Sequence, residues 1–223
     1  MTLKIGDIAP NFNAETTHGV IHFHEWIGSS WCILFSHPKT FTPVCTTELG
    51  VMGLMNPQFV SRNCKIIGLS VDGVDNQKKW SGDIEDATGV APNFPMIGDR
   101  NLAVAIKYGM LPAETVGTSE TRTPADNQTV RTVFIIAPDK AIMVILTYPV
   151  TAGRNFDEIL RVLDSLQLTA NHMVSTPANW HQGGDVIIVP TVSDDEAKRK
   201  FPEGWKTVKP YMRVVKQPNV LTC

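Results

Sequence analysis

Long apolar runs are scarce in this chain. The longest, around Ala141 to Leu146, is far too short to cross a bilayer, so no membrane insertion is expected. Charge of one sign is also lacking. The formal net charge is −2, which leaves no basic surface to advertise nucleic-acid or anionic-membrane binding. Met1 to Pro10 has no apolar core of the signal-peptide kind, and a cytoplasmic protein is expected. Cysteine is sparse. The four cysteines stand at 32, 45, 64 and 223, with no Cys-x-x-Cys among them, which argues against a thioredoxin-type dithiol and a structural zinc site. His22 and His24 alternate along an expected strand, but no third ligand accompanies them, so no metal is expected. There are no internal repeats and no low-complexity tract. What remains is ordinary globular material. A chain of 223 residues, 43% hydrophobic and 19% charged, suffices for one full domain with an appendage or for one large domain.

The informative stretch runs from Trp31 to Glu48. Trp31-Cys32-Ile33-Leu34-Phe35 is short, aromatic and branched, the pattern of a buried strand. Ser36 to Phe41 then leads into a helix start. Thr42 suits the N-cap and Pro43 the first helical position, which makes Cys45 the third helical residue. A sulfur there lies near unpaired backbone N–H groups and the positive end of the helix dipole, a setting that favours thiolate. A buried, inert cysteine would read the same from position alone. The neighbours tip the balance. His37 and Thr42 are polar groups at the end of an apolar strand, and Pro38 and Pro43 stiffen the connection. The Thr42 hydroxyl could cap the helix and also donate to a ligand.

The motif Pro38-xxx-Thr42-xx-Cys45 resembles the peroxidatic motif of peroxiredoxins. The longer string His37-Pro38-Lys39-Thr40-Phe41-Thr42-Pro43-Val44-Cys45-Thr46-Thr47-Glu48-Leu49-Gly50 is similar to the one-cysteine, type-six subfamily. Departures are small. Thr40 stands where such relatives often carry aspartate, and Cys32 where they often carry glycine.

The rest of the chain fits an α/β protein. Lys65 to Val71 reads as a second buried strand, and the intervening helix suits a parallel crossover. Val44, Val51, Met52 and Met55 are expected to share the buried face of that helix. Gly50 and Gly53 weaken it, so packing must hold it. Helices are expected over Asn76–Asp86 and Leu102–Tyr108, with a short segment at Phe94–Asp99. Thr129–Ile136 and Ala141–Tyr148 read as a hairpin about Ala137-Pro138-Asp139-Lys140. Asn155 can cap a helix over Phe156–Leu166. This order gives a mixed sheet of thioredoxin type, which the resemblance also implies. Residues 1–169 are then a thioredoxin-like peroxidase domain, and 170–223 a smaller α+β extension at a dimer interface. Within the extension, Asp185–Pro190 reads as a strand and Ser193-Asp194-Asp195-Glu196 as a capping box.

Arg131 is the second informative residue, a charge inside an otherwise apolar strand. It can pair with Glu48, one turn past Cys45, or face the Cys45 sulfur; the two arrangements are compatible. The resemblance places the family's active-site arginine at Arg131 and suggests that Arg154 joins the network around Glu48. It implies a thiol peroxidase without cofactor, acting on hydrogen peroxide and organic hydroperoxides, lipid ones included. Cys45 passes through a sulfenic acid, assisted by Arg131 and Thr42, with His37 and Pro38 in the pocket. Two-cysteine relatives carry a resolving cysteine where this chain has Thr176, so an external thiol of glutathione or thioredoxin type is expected, with Cys223 the alternative resolver. A homodimer or a larger ring is also implied. Some type-six relatives hydrolyse acyl esters through positions matching Ser30, His24 and Asp139. Here Ser29 and Cys32 depart from the string around that serine, and Asp139 sits naturally in a turn. A binding or redox-signalling role is the remaining alternative.

Overall fold

The computed structural model describes residues 2–113 and 128–218. The chain forms two compact units, Met1–Arg154 and Asn155–Cys223. The sequence places the division at 169/170. The helix that follows Asn155 groups instead with the second unit, because its end, at Leu168, belongs to that unit's core with Val174, Trp180, Val186 and Ile188.

The first unit is built on a seven-stranded mixed sheet of thioredoxin type. Its elements in order are β1 (Asn13–Thr16), β2 (Gly19–His22), α1 (Phe23–Ile27), β3 (Trp31–Ser36), α2 (Pro43–Val60), β4 (Cys64–Ser70), α3 (Val74–Thr88), β5 (Met96–Gly98), α4 (Ala103–Lys107), β6 (Arg131–Ile136) and β7 (Ile142–Tyr148). The sheet order is β2-β1-β5-β4-β3-β6-β7. β3 and β4 run parallel with Ile33 opposite Ile66, so α2 is the crossover that the pattern suggests. β6 is antiparallel to β3 and forms a hairpin with β7 through Ala137–Lys140. β3 and β6 are buried along their whole length, which explains the apolar runs Trp31–Phe35 and Val133–Ile136 within them.

Some expectations shift. β2 stops at His22 and α1 starts at Phe23, so His22 and His24 do not share a strand face. In α2 the buried face runs through Cys45, Leu49, Met52, Met55 and Phe59, whereas Val51 is exposed. The buried stripe is thus offset from the expected one and carries Cys45 and Glu48 inward. Gly50 answers a steric need. A Cβ there would lie 2.4 Å from Thr88 Oγ1 at the end of α3, so the missing side chain lets α2 and α3 meet. Pro57 lies inside α2 without breaking it. Its missing N–H releases the Gly53 carbonyl, which accepts instead from Asn93 Nδ2 at 3.2 Å.

The second unit holds α5 (Phe156–Asn171), β8 (Val174–Ser175), β9 (Val186–Ile188), α6 (Asp194–Lys200), β10 (Lys206–Lys209) and β11 (Met212–Val215), with a small sheet in the order β10-β11-β9-β8. Asn155 caps α5 by accepting from the Glu158 N–H at 3.2 Å, and Ser193 caps α6 in the same way from Glu196. Arg213 donates to Asp194 at 2.7 Å and to the Val192 carbonyl, tying β11 to the start of α6.

Candidate active site at the start of helix α2

β3 delivers the chain to residues 37–42, and these turn it into α2. The first turn of that helix places Cys45 with no exposed surface. Helix geometry leaves the Val44 and Cys45 N–H groups without intrahelical acceptors, while the Thr46 N–H already bonds the Thr42 carbonyl at 3.0 Å. Thr42 has the extended backbone of an N-cap but makes no side-chain cap. Its hydroxyl donates backward to the Lys39 carbonyl at 3.0 Å, so it braces the entering loop. Pro38 is buried in that loop.

Two arginines arrive from elsewhere in the first unit. Arg131 opens β6 and is 2% exposed. Its Nη1 lies 3.3 Å from Cys45 Sγ and 2.7 Å from Glu48 Oε2, while its Nε donates to the Val150 carbonyl at 2.9 Å. Arg154 grips Glu48 bidentately, Nε to Oε1 at 3.0 Å and Nη2 to Oε2 at 2.7 Å, and its backbone N–H adds a third bond to Oε1 at 3.0 Å. Its Nη1 reaches the Ser36 carbonyl at 2.8 Å, and its guanidinium lies over the Phe35 ring at 4.9 Å. Burial pushes Arg154 below its ordinary value, and the Glu48 charge works against that push. One buried carboxylate therefore faces two buried guanidiniums, and a thiolate at Cys45 would make the cluster neutral.

His37 is wholly buried, and neither of its ring nitrogens has a hydrogen-bond partner among the described residues. Burial first, then the Arg154 and Arg131 charges, lower its pKa to about 3, so the ring is neutral at physiological pH. It can accept or donate one hydrogen bond to a guest.

Cys45, Thr42, His37, Pro38, Glu48, Arg131 and Arg154 are thus gathered around the end of β3. The residues matching an acyl-hydrolase triad are not joined to one another. Ser30 Oγ donates to Asn63 Oδ1 at 2.8 Å, the His24 Nε2 contact is the Ala9 carbonyl at 2.7 Å, and Asp139 Oδ1 accepts from the Ala141 N–H at 3.0 Å. Thr176 bonds Ser165 within the second unit at 2.6 Å. Cys223 lies outside the described residues. Sequence reasoning missed Asp72, whose carboxylate accepts two bonds from Thr40. Its signal was faint, an acidic residue just past an apolar strand.

The chain is similar to known proteins over most of its length. Residues 5–145 match the AhpC/TSA family, and residues 165–205 match the C-terminal domain of 1-Cys peroxiredoxin. The chain is 50% identical to Peroxiredoxin-6 of Rattus norvegicus, covering 97% of this chain and 98% of the relative. It is 47% identical to a 1-Cys peroxiredoxin of Dictyostelium discoideum, covering 97% and 86%. A solved structure of yeast mitochondrial 1-Cys peroxiredoxin, described in terms of thiol resolution via glutathione/thioredoxin systems, superposes with a TM-score of 0.88. It is 49% identical and covers 96% of this chain and 100% of its own.

Proposed function

The chain belongs to the AhpC/TSA family, in its one-cysteine peroxiredoxin branch, and is a thiol peroxidase; from that premise we propose that Cys45 is the sulfur that attacks peroxide. The observation that carries this is the Arg131 Nη1 group, placed between Cys45 Sγ at 3.3 Å and Glu48 Oε2 at 2.7 Å. A single guanidinium so held can stabilise the attacking sulfur and the charge that grows on the departing oxygen.

The Cys45 thiolate attacks the near oxygen of a hydroperoxide in line with the O–O bond. The S–O bond forms as the O–O bond breaks, and the electron pair leaves on the far oxygen. Arg131 and the free N–H groups of Val44 and Cys45 face that charge, and a proton completes water or an alcohol. The Thr42 hydroxyl joins them by turning from Lys39. Neutral His37 offers one hydrogen bond to the guest and does not act as the base, because the sulfur supplies its own electron pair. Glu48 and Arg154 are positioning residues that fix the Arg131 guanidinium. Recovery uses two external thiols. The first displaces water from the sulfenic acid to give a mixed disulfide, and the second releases Cys45 and an external disulfide. Thr176 cannot perform that step, and glutathione- or thioredoxin-type thiols are the candidates. Exposed Phe41 and Val150 supply an apolar rim suited to organic and lipid hydroperoxides as well as hydrogen peroxide.

We assign the protein to a reducing compartment, the cytoplasm, since Cys32, Cys45 and Cys64 are free thiols. Among the described residues no helix is long and apolar enough to cross a membrane. A homodimer fits β7, an edge strand whose outer side meets residues 6 and 7 at Ile142, and the exposed Val208 and Tyr211 of the second unit offer further apolar interface. The test is one equivalent of hydrogen peroxide with a dimedone-type trap, the adduct mapped by mass spectrometry. A fast adduct on Cys45 that survives Cys223→Ser is expected. Oxidation scattered over all four cysteines would overturn the reading.

A further inference from the structure

The cycle needs the Cys45 sulfur twice, once for a slim peroxide and once for a bulkier thiol. Yet Cys45 has no exposed surface. An incoming thiol must approach opposite the S–O bond, so something in front of the sulfur has to open. The connection from β3 to α2 leads directly into the turn that carries the sulfur.

That connection is held in an unusual way. Phe41 adopts φ 55, a left-handed conformation that a residue with a side chain holds only while its surroundings enforce it. Beside it sits Thr40, 3% exposed. Its backbone N–H and its hydroxyl both donate to one oxygen, Asp72 Oδ2, at 2.7 and 2.8 Å. Asp72 follows β4 and is itself fixed. Its N–H bonds Ser70 Oγ at 3.1 Å, and its carbonyl accepts from Gln77 Nε2 at 3.3 Å. Trp80 of α3 completes the arrangement, with the His37 ring 5.7 Å and the Phe41 ring 6.0 Å away, centroid to centroid. Two parallel strands end side by side, and a carboxylate after one clasps the loop after the other.

We propose that Asp72 and Thr40 form a latch over the segment preceding Cys45, and that release of this latch admits the thiol reductant to the oxidised sulfur. The proposal rests on Cys45 being the peroxidatic sulfur. Asp72 is a positioning residue that touches neither peroxide nor sulfur. Closed, the latch sets the loop that carries His37 and Thr42, and so favours the peroxide step. Open, it favours the thiol step. Weakening it therefore moves the two half-reactions in opposite directions. Two bonds to a charged oxygen hold it shut, so losing the hydroxyl bond should raise the open population roughly tenfold, and losing the carboxylate roughly a hundredfold.

The molecule carries its own control for general loosening. Cys32 and Cys64 are buried thiols near the starts of β3 and β4, at the opposite ends of those strands from the latch. Full-length wild type, Thr40→Val, Asp72→Ala and Asp72→Asn would be labelled with N-ethylmaleimide and each cysteine followed by mass spectrometry. Cys45 should label about tenfold faster in Thr40→Val and about a hundredfold faster in Asp72→Ala. Asp72→Asn keeps an acceptor oxygen and should lie nearer wild type. Cys32 and Cys64 should stay unlabelled throughout. In stopped flow, glutathione should reduce the sulfenic acid faster in the same order, while oxidation by one equivalent of peroxide slows. Unchanged Cys45 labelling overturns the latch, and so does labelling of Cys32 and Cys64 in step with Cys45. Peroxide consumption surviving Cys45→Ser would instead overturn the assignment of the sulfur, whatever the labelling showed.

Discussion

β3 has a potential nucleophile near each of its ends, and the two differ in what surrounds them. Before its start, the Ser30 hydroxyl is spent on Asn63, and the nearby thiols Cys32 and Cys64 are pushed well up by burial. After its end, Cys45 is just as buried but has a guanidinium 3.3 Å from its sulfur. Burial alone silences a thiol, and burial beside a fixed cation equips one. The difference arises from topology. The carboxyl ends of parallel β3 and β4 gather their loops with the first turn of α2, which is where open α/β sheets generally place their chemistry.

The sharpest way to break this contrast is to remove the sulfur. Cys45→Ser should lower peroxide turnover by at least about 10³-fold, while Cys32→Ala and Cys64→Ala should stay within roughly twofold, measured by peroxide consumption with excess thiol. Equal losses at all three positions would erase the distinction. Next comes the cation. Arg131→Met should cost roughly 10² to 10³ in kcat/KM, and Arg131→Lys should recover only part of it, because an ammonium cannot reproduce the guanidinium's contacts to Sγ, Glu48 and the Val150 carbonyl. A fully active lysine variant would show that charge alone is enough.

Glu48→Ala tests the support of that cation. It leaves two buried guanidiniums without their carboxylate, and urea unfolding should show a loss of about 3–5 kcal/mol. An unchanged midpoint would mean that water replaces the carboxylate. A pH-dependent effect concerns His37. Its folded value, near 3, lies below its ordinary one of 6.5, so the unfolded chain binds the extra proton between them. The neutral ring's contribution is intact above pH 6.5 and is lost as pH falls toward 3, by up to about 1.4 kcal/mol per unit. Melting curves of wild type should therefore fall more steeply below pH 6.5 than those of His37→Leu. Parallel curves would place the acid sensitivity elsewhere. Last, Ser30→Ala should leave peroxide turnover unchanged. An acyl-ester hydrolysis that disappeared with it would make both ends of β3 functional.

Much of this was legible in the residues. Trp31–Phe35, Lys65–Val71 and Thr129–Ile136 are nearly uninterrupted apolar runs, and such runs become central strands. Arg131 was conspicuous because a charge inside such a run needs a partner. Other features depend on distances that no local pattern encodes. The true buried face of α2 was hidden because its glycines and Val51 blur the helical period. The role of Gly50 becomes visible only when Thr88 is seen beside it. The Thr40–Asp72 contact joins loops 32 positions apart, and nothing in either loop announces the other.

The grip on Glu48 has a consequence for the protein's birth. Arg131 lies 86 positions after Cys45, and Arg154 lies 106 after Glu48. At ordinary elongation speeds, the ribosome needs roughly 4 to 20 seconds to add that much chain. Throughout that interval the cysteine has been made but its arginines have not. Until then the Cys45 sulfur has no guanidinium beside it, and the arrangement that equips it can form only once Arg154 has been added.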